Sequence, residues 1–206
     1  MTKSVCVCVG ALMAFAGAAS AQVRITEWAY SALDGEFIEF TNVGGAPVDL
    51  STYSYDDDSR LAGTVGLAAM GILQPGESAI LTEVLASDFR AAWSLPASVK
   101  ILGGNVANLG RNDEINLFDG FTLVDRLTFG DQNIPGTIRT QNTSGITTPA
   151  NWGANNVAGW FFSVVGDSYG SRRSLNGDVG SPGAIPTPGT LALVGLGCVV
   201  AGRRRR

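Results

Sequence analysis

The 206-residue sequence contains no histidine, and its three cysteines, Cys6, Cys8 and Cys198, all lie near the ends of the chain. Without an imidazole, no Ser-His-Asp or Cys-His nucleophile and no histidine-ligated zinc or haem can form. The middle of the chain is free of thiols, which excludes a disulfide framework and a thiolate metal site there. Its stability must therefore come from packing, and any acid-base chemistry would use carboxylates, lysine or tyrosine.

The formal net charge of −4 is unevenly distributed along the chain. Residues 22 to 185 hold nine of the fourteen basic residues and all eighteen acidic ones, which gives this body a net charge of −9. Proteins that bind nucleic acid without sequence preference need clustered Lys and Arg to displace counterions. We therefore expect no nucleic-acid partner, and we expect the two ends to serve a purpose different from that of the body.

The first 21 residues have the pattern of a signal peptide. Lys3 precedes an apolar run, and the small residues Ala19 and Ala21 stand three positions and one position before a cleavage site ahead of Gln22. Signal peptidase accepts small side chains at these two positions, so the mature chain is predicted to begin at Gln22. A short buried helix is the alternative interpretation. Export would place the body outside the cytoplasm.

The last 21 residues have three parts: Pro186-Thr187-Pro188, an uncharged apolar stretch over residues 189–202, and Arg203, Arg204, Arg205 and Arg206. Fourteen helical residues span about 21 Å, short of the hydrocarbon core of about 30 Å. Arginines can extend to the headgroups and keep this end cytoplasmic, which predicts a short transmembrane helix. A buried C-terminal helix is the alternative.

This tail resembles the PEP-CTERM sorting signal, with Thr187 in place of the glutamate of its Pro-Glu-Pro motif. The resemblance implies processing by a membrane enzyme of the exosortase type. It also implies removal of the helix after transient anchoring, and delivery to the surface or extracellular matrix of a Gram-negative bacterium.

The body has the pattern of an antiparallel β protein. Turn pairs of Gly with Asp or Pro separate short runs rich in Val, Ile, Leu, Phe and Thr. Strands are predicted over residues 23–29, 36–42, 78–82, 99–102, 114–118, 123–129 and 159–165. One helix is predicted over residues 87–93, capped by Ser87 and ending before Pro96. Residues 130–156, rich in Thr, Asn and Gly, are predicted to form one long loop.

The order of motifs in the body resembles that of a lamin-tail domain. The segments are VRITE from residue 23, GEFIEFTN from 35, VDLS from 48, LQPGESAIL from 73, LGRNDEINLFD from 109 and VD from 124, with DVGSPG from 178 as the exit. The resemblance covers most of residues 23–184 and is weakest over 130–177. It implies an all-β, immunoglobulin-like antiparallel sandwich, and it makes Glu39 a structural hydrogen-bonding residue.

Two acidic groups are candidate sites. Asp56, Asp57 and Asp58 form the densest one. Oxygen-rich loops suit calcium, and a solvated turn is the alternative. Asp34, Glu36 and Glu39 form the second group. Glu36 and Glu39 have opposite parity on a strand, so we expect them on opposite faces of the sheet.

No spacing in the sequence singles out a catalytic pair. We therefore expect a non-catalytic binding or structural module, with exopolysaccharide or another surface protein as its partner. Trp152, beside Asn151, Asn155 and Asn156, is the candidate for stacking on a sugar. The alternative is a secreted, carboxylate-dependent hydrolase, with or without a metal, that acts on glycans or phosphoesters.

Overall fold

The computed structural model describes residues 22 to 184. It contains one α-helix, α1 (Ala86–Ala92), and four short 3-10 turns among its strands. The strands, in chain order, are β1 (Val23–Ala29), β2 (Phe37–Asn42), β3 (Val48–Asp49), β4 (Tyr53–Asp56), β5 (Val65–Gly66), β6 (Ile72–Leu73), β7 (Ser78–Thr82), β8 (Lys100–Leu102), β9 (Asn112–Asp119), β10 (Thr122–Gly130), β11 (Gly145–Thr147), β12 (Trp160–Phe162), β13 (Arg172–Arg173) and β14 (Val179–Gly180).

Two sheets form the body of the fold. A six-stranded sheet has the order β12-β11-β1-β2-β7-β8, and a four-stranded sheet has the order β10-β9-β4-β5. Two pairs of two-residue strands, β3 with β6 and β13 with β14, complete the described part of the chain. The predicted all-β architecture with one short helix is confirmed, and each predicted strand position carries a strand.

The main core lies between the two sheets. Trp28 on β1 packs against Phe129 on β10, with ring centroids 4.0 Å apart, and meets Trp160 edge to face. These rings pack with aliphatic and tyrosine side chains from both sheets, which is the alternating inward pattern of a sandwich. Burial of this apolar surface is the main favourable term for folding.

A second core lies on the outer face of the six-stranded sheet. There α1 places Phe89 and Trp93 over Phe37 of β2, with centroid separations of 5.4 and 6.0 Å. The outer face of the sheet is therefore divided. One part is apolar and covered by the helix, and the other is polar and covered by the end of the body.

Three details of the fold differ from the sequence prediction. β8 pairs with β7 in parallel, because the connection between them contains α1 and works as a crossover. The helix begins one residue earlier than predicted, after Leu85, and Ser87 does not cap it. The predicted loop over 130–156 contains β11, which lies between β1 and β12.

β11 escaped prediction because it is short and begins with a glycine. A Cβ at Gly145 would lie 3.1 Å from the indole nitrogen of Trp28. The absence of a side chain therefore lets the tryptophan pack directly against the strand, and the same residue conceals the strand in a region of Thr, Asn and Gly.

We expect Gly103→Ala to destabilise the fold. A Cβ at Gly103 would lie 2.5 Å from the carbonyl oxygen of Val84 and 2.8 Å from the carbonyl carbon of Leu85, where β8 passes the start of α1. Because these neighbours are backbone atoms, the chain must shift, and denaturant unfolding should show a loss of about 2–4 kcal/mol. Gly66→Ala is the control, since a Cβ there meets nothing within 4 Å. Equal stability of the two variants would contradict this packing.

Candidate functional site

Two glutamates face each other on neighbouring strands in the polar part of the six-stranded sheet. Glu27 on β1 is the cross-strand partner of Glu39 on β2, and their exposed fractions are only 1% and 2%. Like charges directly opposite each other on a sheet destabilise it. The hydrogen bonds around this carboxyl pair, Glu27 and Glu39, therefore decide how the fold accommodates it.

A β-bulge brings Glu27 to this face. The register between β1 and β2 shifts between Ile25 and Glu27, so Ile25 and Trp28 point into the main core while Glu27 points away from it. Without the bulge, strict alternation from Val23 and Ile25 would direct Glu27 into the core. Alternation along β1 therefore does not predict Glu27 on the polar face. The sequence feature that indicates the bulge is Trp28, a large apolar residue that breaks the alternation.

Glu27 accepts three hydrogen bonds from residues far along the chain. The hydroxyl of Ser144 donates to Oε1, and the amide of Ser181 donates to the same oxygen at 2.7 Å. The hydroxyl of Ser181 donates to Oε2 at 2.7 Å. These bonds connect β1 to β11 and to residues 181 to 184, which we call the C-terminal segment.

Glu39 binds Gly183, which lies two residues after Ser181 in the same segment. Its Oε2 accepts the amide of Gly183 at 2.6 Å, and its Oε1 accepts the hydroxyl of Thr26 at 3.0 Å. Thr26, Thr41 and Ser78 continue the network as a chain of hydroxyls, with oxygens 2.7 Å apart at each step. Glu39 is thus a buried hydrogen-bonding residue, as the resemblance implied.

Burial raises the pKa of both carboxyls. The pKa of Glu39 rises to about 8 through burial and the nearby charge of Glu27, against hydrogen bonds from Gly183, Thr26 and Ser78. The pKa of Glu27 is also raised by burial, against hydrogen bonds from Ser144 and Ser181 and the positive charge of Arg172. Two carboxyls opposed in a buried site cannot both ionise cheaply, so the pair retains a proton near neutral pH.

The space beside the pair is small. A cavity of about 20 Å³ lies between Glu27, Glu39 and the C-terminal segment, with Trp152 and Tyr169 among its other walls. This volume holds about one water molecule. The indole N–H of Trp152 is buried here and has no acceptor within the described residues. Trp152 as a whole is partly exposed.

The asparagines beside Trp152, which belong to the candidate sugar site, make hydrogen bonds within the protein. Asn155 accepts the backbone amide of Thr128 at 2.7 Å, and Asn151 donates to the Thr147 hydroxyl and to the Asn156 carbonyl. These amides hold the connection between β11 and β12 in place. Sugar binding at these residues stays a prediction.

Glu36 lies on the opposite side of the sheet from Glu39, as the strand parity predicted. Both of its oxygens accept the backbone amide of Leu109 at 2.8 Å. Burial raises the pKa of Glu36 to about 8, opposed by this hydrogen bond and assisted by the charges of Glu83, Asp113 and Asp57. Glu36 therefore anchors the connection between β8 and β9.

The three consecutive aspartates have different surroundings. Asp56 is buried on β4 and accepts the hydroxyl of Ser59 and the amide of Leu61 through Oδ2, while its Oδ1 has no partner within residues 22 to 184. Asp57 accepts the amide of Ser59, and Asp58 is exposed. In the described part of the chain no three acidic side chains are grouped closely enough to hold a metal. Calcium binding at Asp56, Asp57 and Asp58 stays a prediction.

The processing signals lie outside the described residues, apart from Gln22. This applies to Ala19 and Ala21, to the apolar helix predicted over 189–202, and to Pro186, Thr187, Pro188, Arg203, Arg204, Arg205 and Arg206. Gln22 is exposed, and its carbonyl accepts the amide of Val43. Between residues 22 and 184 no helix has the length and hydropathy needed to cross a membrane.

Comparison with known families identifies the class of protein. The model of the Lamin Tail Domain matches residues 16–131, which is more than half of the chain. The protein therefore belongs to the lamin tail domain family, whose members are non-enzymatic immunoglobulin-like β-sandwich modules. No curated protein and no solved structure matches the chain. The matched range contains Glu27 and Glu39, whereas Ser144, Ser181 and Gly183 follow it.

We expect the free energy of unfolding to fall as the pH rises from about 5 to 8. Glu36 and Glu39, each with a pKa of about 8 in the folded protein, keep protons that the unfolded chain releases near 4.5. Folding therefore takes up protons in this range, and stability declines by up to about 1.4 kcal/mol per pH unit for each proton. Urea unfolding at several pH values measures this slope.

Glu39→Gln should reduce the pH dependence of the free energy of unfolding by the contribution of one proton. The amide of Gln keeps hydrogen-bonding capacity but does not titrate. Asp131→Asn is the control. The hydrogen bond from Arg111 lowers the pKa of the partly buried Asp131, so this group titrates below the range and its removal should leave the slope unchanged. A flat wild-type profile, or the same slope in wild type and Glu39→Gln, would contradict the assignment.

Proposed function

We propose that the protein is an exported, surface-sorted β-sandwich that acts as a non-catalytic binding or structural module in the cell envelope or extracellular matrix. Signal peptidase and an exosortase-type enzyme would process its two ends. The apolar helix over 189–202 would anchor it transiently in the membrane. The partner of the mature body would be exopolysaccharide or another surface protein.

The observation that carries the proposal is the way the body ends. Ser181 and Gly183 are bound to Glu27 and Glu39 on β1 and β2, and these strands are the two central ones of the six-stranded sheet. The sorting motif begins three residues later, at Pro186. A tail attached to the membrane or matrix at this point would transmit its load into the middle of the sheet.

The carboxyl pair supports a structural role over hydrolysis. A glycosidase requires two carboxyls several ångströms apart across a cleft that admits the sugar and a water molecule. Glu27 and Glu39 already accept hydrogen bonds from Ser181 and Gly183 of their own chain. The adjoining cavity of about 20 Å³ is too small for a sugar ring. The pair is therefore better suited to fastening the chain than to catalysis.

We expect processing to depend on residue 187. Cell fractionation and intact-mass measurement should find a surface form that begins at Gln22 and lacks the C-terminal helix. Thr187→Glu, which restores the Pro-Glu-Pro motif, should increase the processed fraction, and replacing Arg203 to Arg206 with Gln should decrease it. Thr148→Glu is the control for an added carboxylate within the body, because Thr148 is exposed and its side chain makes no cap hydrogen bond. An uncleaved 206-residue chain in the cytoplasm would contradict the proposal.

A binding and activity screen separates the module from the hydrolase. The purified protein is tested on a glycan array, on phosphoesters and on DNA at low salt, each with calcium and with a chelator. We expect glycan or protein binding without turnover, and no tight DNA binding because the body carries a net charge of −9. Turnover that Glu39→Gln abolishes would instead support the carboxylate-dependent hydrolase.

A further inference from the structure

The outer strand β12 is an unusually unprotected sheet edge. It stands at the end of the six-stranded sheet beside β11. The apolar side chains on and after it are substantially exposed: Phe161 38%, Phe162 42%, Val164 62% and Val165 51%. A sheet edge with apolar side chains and free backbone groups is a template for pairing with another strand.

The backbone of Phe162 points away from the sheet. Ser163 donates its amide to the carbonyl of Ser144, next to β11, whereas Trp160 donates its amide to the carbonyl of Val157. Because backbone groups alternate between the two sides of a strand, Phe162 lies in the set that faces outward, together with Trp160. Its N–H and C=O are therefore directed to the open side of the edge.

The edges at β10 and β8 carry protection that β12 lacks. On β10, Arg24 donates to the carbonyl of Val124, and Asn155 accepts the amide of Thr128. On β8, Lys100 forms an ion pair with Glu77. Side-chain cover and charge are among the means by which proteins prevent edge pairing. Shortness, a third means, is shared by β5 and β12, which have two and three residues.

Charge indicates which partner fits this edge. The sequence has no charged residue between Arg139 and Asp167, a stretch that contains β11 and β12, although the body carries a net charge of −9. Two copies of such an acidic body repel each other over most orientations. Approach through the uncharged stretch brings the fewest like charges together.

We propose that two copies of the chain pair through β12, antiparallel about a two-fold axis, and join their six-stranded sheets into one. Phe162 lies opposite Phe162 of the second copy, and the two residues exchange both N–H···O=C bonds. The exposed side chains of Phe161, Phe162, Val164 and Val165 are buried by the contact. Such an interface is isologous and closes at the dimer.

The first test is sedimentation of the full chain in mild detergent over a range of concentrations. We expect a concentration-dependent dimer. Phe162→Lys, which places a charge at the edge, should halve the mass to that of the monomer. Phe121→Lys is the matched control, because Phe121 is 94% exposed in the turn between β9 and β10, and it should leave the dimer intact. A monomeric wild type, or a Phe162→Lys variant that still dimerises, would overturn the proposal.

Cross-linking tests the register and does not depend on the lysine variant folding. In a full chain with Cys6, Cys8 and Cys198 replaced by Ser, Phe162→Cys should form a disulfide-linked dimer on mild oxidation. The opposed Cα atoms are expected about 5.5 Å apart, within reach of a disulfide. Phe161→Cys, offset from its symmetry mate, and Phe121→Cys, remote from the edge, should link far more slowly. Equal linking of all three variants would contradict the pairing.

Discussion

Two carboxyl groups, Glu27 and Glu39, are held face to face on the central strands of the larger sheet and are almost completely shielded from bulk solvent. Two buried negative charges at this position would be costly, and the fold responds by keeping a proton on the pair and surrounding it with donors. The donors are Thr26 on β1, Ser144 next to β11, and the C-terminal segment. Satisfying the pair therefore requires the last residues of the body to fold back over the first two strands.

The molecule has three layers, and this requirement explains the polar part of the outermost one. The four-stranded sheet covers the inner face of the larger sheet. Helix α1 covers the apolar part of the outer face, and the C-terminal segment covers the polar part through hydrogen bonds. The family match ends at residue 131, so three residues that donate to the pair, Ser144, Ser181 and Gly183, lie in the part of the chain that follows it.

Much of the fold can be predicted from the sequence, because most strands show apolar runs between turn residues. β1 and β7 have the predicted bounds. β11 could not be predicted, since Gly145 lies among polar residues and its role depends on the distant Trp28. Glu39 was recognised as structural through the family motif. Its partner Glu27 was not, because a bulge reverses its side of the strand, and Ser181 and Gly183 lie far away in sequence.

The central claim is that the Glu27–Glu39 pair retains a proton at neutral pH and thereby holds the C-terminal segment. The most direct test is an NMR titration of the side-chain carboxyl carbons of these two glutamates in the folded protein. The structure predicts that Glu39 titrates near pH 8, with the amide signals of Ser181 and Gly183 changing in the same range. Titration of both carboxyls near their ordinary value of 4.5, with those amides unaffected, would contradict the account.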